Sequence, residues 1–265
     1  MADDGKAERG GTRPRTTEDA AGVQAIHRAA QILTAVARRS ESGIGLSELA
    51  RRTELPHPTA RRILLGLMQE HLVAQDPETR RYKLGPLIFE LGLSAPQQSG
   101  LVRAARPVLE HLAAATGDTV YLVLRSGTDA ICLDRIEGHF PIRVMTMNIG
   151  DRRPLGVGAA GLAMLAGLPE TEFEAILREK KAEFAAYNFE LKDMRDAVMR
   201  TRVTGYGISQ QVLTPGVSGV GMAIWSSRRT PIAGISIASV TDRILGPRLE
   251  QLTALLREHV PTITV

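Results

Sequence analysis

The chain has 265 residues, 43% hydrophobic and 23% charged: room for two domains, and no apolar run near the ~20 residues of a membrane span. A single cysteine, Cys132, excludes an internal disulfide and a cysteine-based metal cluster. The start, Met1-Ala2-Asp3-Asp4-Gly5, has no apolar signal region, so the expected location is cytoplasmic with no membrane partner. The net charge of +4 is concentrated, with ten Lys+Arg against six Asp+Glu between positions 21 and 85 and near balance on either side.

Residues 1–20 are rich in charge, Gly, Thr and Ala without periodicity and read as a disordered tail, in which Arg13-Pro14-Arg15 is one more solvated charge run. From Val23 the positions Val23, Ile26, Ala30, Leu33 and Val36 recur at helical spacing. Ser47 is placed to cap a short helix that turns Leu49 and Ala50 inward. Pro58 suits the first turn of another helix, whose apolar face is Ala60, Ile63, Leu64 and Leu67. Its opposite face carries Thr59, Arg61, Arg62 and Leu65. Two short helices joined by a tight turn, followed by strand-like Leu72-Val73-Ala74-Gln75 and Arg81-Tyr82-Lys83-Leu84 around Asp76-Pro77-Glu78-Thr79-Arg80, describe a winged helix-turn-helix over residues 21–85. A major groove admits one α-helix. His57, Thr59, Arg61 and Arg62 occupy the positions near its start that reach base edges, while Arg51, Arg52, Arg81 and Lys83 suit phosphate. His57 is the weakest of these, since it also fits a helix cap.

Residues 86–99 read as a linker, with a short helix from Pro86 to Leu93 ended by Ser94-Ala95-Pro96-Gln97-Gln98-Ser99-Gly100. Beyond it, residues 100–265 predict helix over 101–116, interrupted at Pro107, then strands over 119–124, 130–136 and 142–147. Helices follow over 158–166, 171–179 and 190–204, the last stopped by Gly205. Strands over 217–225 and 232–240 and a final helix over 249–259 complete the chain. The alternation lacks the regular βαβ rhythm of a parallel nucleotide-binding sheet.

In this order Ser47-Glu48-Leu49-Ala50-Arg51-Arg52, the proline-led helix, Gln75-Asp76-Pro77-Glu78-Thr79, Tyr82, Leu84-Gly85, Ala105-Arg106-Pro107, Leu109, Leu133-Asp134-Arg135, Pro154-Leu155 and Pro215-Gly216-Val217 resemble the IclR family of bacterial transcriptional regulators. The resemblance spans roughly residues 23–260. It implies an α/β (α+β) chain: an N-terminal winged helix, a linker helix that packs between subunits, and a C-terminal GAF-like effector-binding and oligomerisation domain. Its expected partners are operator DNA, a small-molecule effector and further copies of the chain, as a homodimer or homotetramer. It places the effector at positions matching Ala159, Ala160, Ser209 or Gln210, Gly219, Ser236 and Ala238. Where many members have histidine, threonine and lysine around this helix, the chain has Gly156, Gly158 and Leu162; Gly219 and Ala238 replace polar residues. A roomier, less polar cavity is therefore expected, suited to a carboxylate with an apolar or aromatic body rather than to a very small keto acid. The same small residues would also let neighbouring elements pack closely.

Other motifs point to no chemistry. Gly156-Val157-Gly158-Ala159-Ala160-Gly161 satisfies G-x-G-x-x-G, but the preceding Asp151-Arg152-Arg153-Pro154 reads as a loop and a helix follows, so no dinucleotide cofactor is expected. A glycine-rich entry to a helix still exposes amides and a positive dipole end, suited to a small carboxylate. Val217-Ser218-Gly219 lacks the second glycine of a nucleophile elbow. Histidines 27, 57, 71, 111, 139 and 259 have no metal-ligand spacing, Cys132 reads as core filler, and Met145, Met147 and Met222 read as core or as flexible lining of an adaptable pocket. No catalytic residue, metal or cofactor is assigned. The expected function is an effector-modulated transcription regulator, ahead of a GAF-like enzyme retaining a DNA-binding module and a ligand-independent DNA-binding protein.

Overall fold

The computed structural model describes residues 17–37, 39, 42–93 and 96–264, in which the helical repeats of the N-terminal third become α1 (Thr17–Ala37), α2 (Leu46–Thr53) and α3 (His57–Gln69). Arg13-Pro14-Arg15 lies outside the described residues. Residues 17–20, expected in the tail, are the start of α1, in keeping with the high helix propensity of alanine. The inward face of α1 is Ile32, Ala35 and Val36, whereas Val23 and Ile26 stay 64% and 72% exposed, because α2, α3 and the wing cover only its C-terminal half. Ser47 is not the cap expected of it: Gly45 precedes α2 without a side-chain cap, and the Ser47 hydroxyl sits 3.3 Å from His57 Nε2. Ala60, Leu64 and Leu67 bury the inner face of α3 against Ile32, Ile44, Leu49 and Tyr82, with Ile63 partly buried. Glu54 in the left-handed conformation makes the turn between α2 and α3. The wing is the antiparallel pair β1 (Val73–Gln75) and β2 (Tyr82–Leu84), extended by an Ile44–Tyr82 bridge, and α4 (Pro86–Leu93) follows.

The chain divides into two units, Met1–Ser94 and Ala95–Val265. The second opens with α5 (Pro96–Thr116). Residues 96–100, expected to break the chain, are its first turn, since proline is pre-organised at a helix start and glutamine is a good helix former. Pro107 lies inside α5 without ending it. Then come β3 (Thr119–Ser126), β4 (Asp129–Ile136), β5 (Arg152–Pro154), α6 (Ala159–Ala166), α7 (Glu170–Glu179), α8 (Lys181–Ala185), α9 (Leu191–Thr204), β6 (Gly207–Gln210), β7 (Val217–Trp225), β8 (Pro231–Val240), α10 (Thr241–Ile244) and α11 (Pro247–His259). The six strands form one sheet in the order β5-β4-β3-β8-β7-β6, each pair antiparallel.

Period-two alternation splits the strands between two cores. Val120, Leu122, Val220, Ile235 and Ile237 face α5 and α11 with Leu109, Leu112 and Leu256. Tyr121, Val123, Ala130, Cys132 and Ala238 face α6 and α9 with Met164, Leu165, Met194 and Val198. Two of the ordered sequence motifs meet here: Arg106 of α5 donates to the buried Asp134 of β4 at 3.0 Å, tying helix to sheet.

One strand expectation fails. Residues 142–147 alternate in hydrophobicity but form no strand; Val144 and Met147 are buried while the carbonyls along the segment are taken by side chains. Tyr121 Oη donates to Val144 O (2.7 Å), Arg153 donates to Thr146 O, and Arg135 donates to Met147 O (3.1 Å). With its acceptors engaged this way the segment has no ladder to join, and Arg152–Pro154, expected as loop, pairs with β4 instead.

Candidate functional site

The basic helix comes first. His57, Arg61 and Arg62 of α3 are exposed and Thr59 is half-buried. His57 is the first residue of α3, after Pro56, and makes no capping bond; its ring meets Ser47 instead. Arg52 is tied to Glu48 at 3.0 Å, and Arg39 reaches the same oxygen at 3.4 Å. Burial alone would raise the Glu48 carboxyl, but the hydrogen bonds and charges of Arg52 and Arg39 outweigh it and hold the group below the usual range. Arg81, expected on phosphate, donates from Nε and Nη2 to Gly43 O (3.2 and 3.0 Å) and so braces the wing against the loop before α2. Lys83 lies 3.7 Å from Asp76, whose carboxyl is held low first by the Thr79 amide and side chain, then by the Glu78 amide and the Lys83 charge. Among the described residues Arg51, Arg61 and Arg62 have no carboxylate within ion-pair distance, and these three can give their donors to a polyanion at no cost to the fold.

The second site is a hollow in the C-terminal unit, between the α6 face of the sheet, the start of α6 and the 142–147 segment. It gathers six of the seven positions expected for an effector: Ala159, Ala160, Ser209, Gly219, Ser236 and Ala238. Gln210 is exposed and does not line this hollow; it lines a neighbouring one beside α9 with Asp193 and Arg200, which Ser209 also borders. The hydroxyls of Ser209 and Ser236 make no hydrogen bond among the described residues. The amides of Ala159 and Ala160, at the start of α6, find no acceptor there either. Met147 lines the hollow, and residues absent from the sequence-based set include Tyr121, Leu213 and Arg153. Recognising Arg153 needed the knowledge that 152–154 is a strand, since alternation then sends Arg152 and Arg153 to opposite faces.

The hollow is smaller than expected. It encloses ≈ 540 Å³ of atom-free space counting its open mouth, but only ≈ 40 Å³ admits the centre of a water molecule. The smaller figure decides what fits without movement, because the larger one counts open solvent. A few waters occupy that much, whereas a cavity that accepts benzene is about 150 Å³. An aromatic body does not fit this conformation. Close packing is the reason: a Cβ on Gly221 would lie 2.7 Å from Ala160 N, and one on Gly207 2.5 Å from Ala159 O, so glycines let α6 lie directly on the sheet. Gly219 is less confined: a Cβ there would lie 3.2 Å from Ile237 O, a tight contact, and 3.7 and 3.8 Å from the Cβ atoms of Ala159 and Ala238.

None of the side chains lining the hollow is a carboxylate, histidine, cysteine or lysine. Ser218 Oγ is bonded to Thr241 Oγ1 at 2.9 Å, and burial pushes the Cys132 thiol up to about 11. The glycine-rich run follows β5, whose neighbour is antiparallel, not the parallel βαβ crossover of a dinucleotide site. The lining supplies donors and apolar contacts, and Tyr121, its side chain of a general-base type, has its hydroxyl engaged by Val144 O and the Thr146 amide.

Residues 94–265 match the family described as bacterial transcriptional regulator IclR C-terminal, and residues 25–77 match the IclR helix-turn-helix domain. The chain is 30% identical over 239 residues to the HTH-type transcriptional regulator BhcR of Paracoccus denitrificans, covering 89% of this chain and 84% of that one. It is 29% identical over 264 residues to the acetate operon repressor of Salmonella typhimurium, covering 98% and 96%. Among solved structures, an IclR transcriptional regulator from Alicyclobacillus acidocaldarius superposes with a TM-score of 0.75 at 27% identity, over 91% of this chain and 97% of that one.

Proposed function

We propose, since this chain belongs to the IclR family of bacterial transcriptional regulators, that α3 enters the major groove of an operator and that a short carboxylic acid in the C-terminal hollow sets the affinity. Arg61 and Arg62 address base edges with Thr59 and His57, and Arg51 the phosphates. Arg52, Arg81 and Lys83 are already engaged within the protein and contribute mainly by shaping the helix and wing. One helix-turn-helix per chain calls for a dimer, or a dimer of dimers, on a near-palindromic site in the cytoplasm. One observation carries the effector half: the hollow is lined by Ala159 and Ala160 at the start of α6, whose amides are uncommitted among the described residues, and by Ser209 and Ser236 with free hydroxyls, and by no side-chain carboxylate. Such a lining favours an anion over a neutral or cationic ligand. The ligand must also prefer one of two DNA-affinity states, since equal affinity for both shifts nothing.

A gel shift of the full chain on the gene's own upstream DNA, titrated with two- to four-carbon acids and their amides, tests this. The acids are expected to move the midpoint by tenfold or more and the amides by little. Indifference to every acid would leave a ligand-independent DNA-binding protein, and conversion of an acid to product would make it an enzyme.

The units are proposed to be separable. A fragment from Ala95 onward is expected to fold, self-associate and bind the acid but not DNA, because the winged helix holds the basic excess and the fragment retains both C-terminal cores. Circular dichroism and sedimentation of that fragment check it; an unfolded product would show that the boundary is misplaced.

A further inference from the structure

Arg152 and Arg153 are neighbours on β5 with opposite fates. Arg152 points outward and pairs with Asp129 at 2.9 Å. Arg153 points inward, where its guanidinium lines the hollow beside Ala159, Ser236 and Tyr121. A half-buried arginine ordinarily has a carboxylate partner, because removing its charge from water is costly without one. Arg153 has none within ion-pair distance among the described residues. Asp151, two residues away, spends Oδ2 on the Asn148 amide at 2.7 Å. The protein partner of Arg153 is a neutral one, the carbonyl of Thr146, which takes a single donor from Nη2. The same segment is fixed from its other side by Tyr121, which donates to Val144 O and accepts from the Thr146 amide at 3.0 Å. The guanidinium is thus held against the hollow by a braced segment, with most of its five donors unspent.

We propose that Arg153 is the counter-charge for the carboxylate bound in the hollow, receiving it in the fork of its remaining donors while the amides of Ala159 and Ala160 approach from the helix end. This rests on the reading of the hollow as a site for a small acid and adds the residue that selects for charge. A guanidinium offers a planar, two-point grip on a carboxylate that a helix end alone does not. Burial holds the Arg153 group below its ordinary range, outweighing the opposing influence of nearby Tyr187 and Asp151. The small free volume limits that partner to a few heavy atoms beyond the carboxylate.

The test is calorimetric titration of the full-length protein with acetate, propionate and lactate, and with acetamide, propionamide and lactamide. In the wild type the acids are expected to bind at least about tenfold more tightly than the matching amides. Arg153→Gln is expected to weaken acid binding about 10- to 100-fold, the range for losing a hydrogen bond to a charged group, and to leave the amides unchanged. Arg153→Lys, which keeps the charge but loses the fork, is expected to fall between them. Should Arg153→Gln lose its fold, the lysine variant and the acid-to-amide ratio of the wild type carry the test. A folded Arg153→Gln that binds the acids as the wild type does overturns the role of Arg153 and leaves the acid site standing. A wild type that binds acids no better than amides, or binds none of the six, overturns both.

Discussion

Replacing Asp118 with alanine is expected to cost the C-terminal unit about 3 kcal/mol and to lower its melting temperature by roughly 6–12 °C. The Asp118 side chain is fully buried and accepts from Arg243 Nε at 3.1 Å and from Arg248 Nη2 at 2.7 Å. Both arginines also donate to the carbonyl of Thr116, at 3.2 and 2.6 Å, and Arg243 stacks 3.7 Å over the ring of Phe140. One carboxylate therefore joins the end of α5 and the start of β3 to α10 and α11. Without it two guanidinium groups face each other with no anion between them. Losing one member of a buried pair costs about 3–5 kcal/mol. The low end applies because the arginine side chains remain 26% and 25% exposed, so water recovers part of their solvation. Calorimetric unfolding of the full-length protein reads this effect. A loss below about 1 kcal/mol would show that the clamp is dispensable and that the hydrophobic core on that face holds α11 unaided.

Arg62→Ala is expected to weaken operator binding by about 1–3 kcal/mol and to relax the preference at a single base pair, without changing thermal stability. Arg62 is exposed on α3 and has no protein partner among the described residues, so its removal disturbs no contact of the fold. A purely phosphate-directed arginine would instead weaken all sequences alike and reduce the salt dependence. Binding titrations on the operator and on single-base variants, each at two salt concentrations, separate the two roles. An Arg62→Ala protein that binds the operator with wild-type affinity would remove Arg62 from the interface, leaving Arg61 and Arg51 to account for it.

Much of the winged helix was legible because each signal is local. Pro58 at a helix start, Ala60, Leu64 and Leu67 on one face, and Asp76 folding the wing turn through the amides of Glu78 and Thr79 all act within a few residues. What failed there required neighbours. Nothing near Arg81 in sequence reveals that Gly43, 38 residues earlier, takes its guanidinium donors. Val23 and Ile26 repeat at helical spacing but stay exposed among the described residues.

In the C-terminal unit the sequence by itself determined where β3, β4, β7 and β8 run, since alternating and β-branched stretches carry their own signal. It also determined the family, through short motifs in a fixed order. Only the tertiary structure decided that 142–147 is no strand, because side chains from β3, β4 and β5 take its carbonyls. Only it decided that Gly207 and Gly221 serve close packing, leaving a hollow of ≈ 40 Å³ where a roomy one was expected. Arg153 belongs to the same class. Its residue type is plain in the sequence, but its facing a hollow with no carboxylate within ion-pair distance among the described residues depends on the antiparallel pairing of β5 with β4 and on Tyr121, Ser209 and Ser236, which lie 32 to 83 positions away. Periodicity records which face of an element is apolar; which polar groups meet across that face is set by the register of strands distant in the chain.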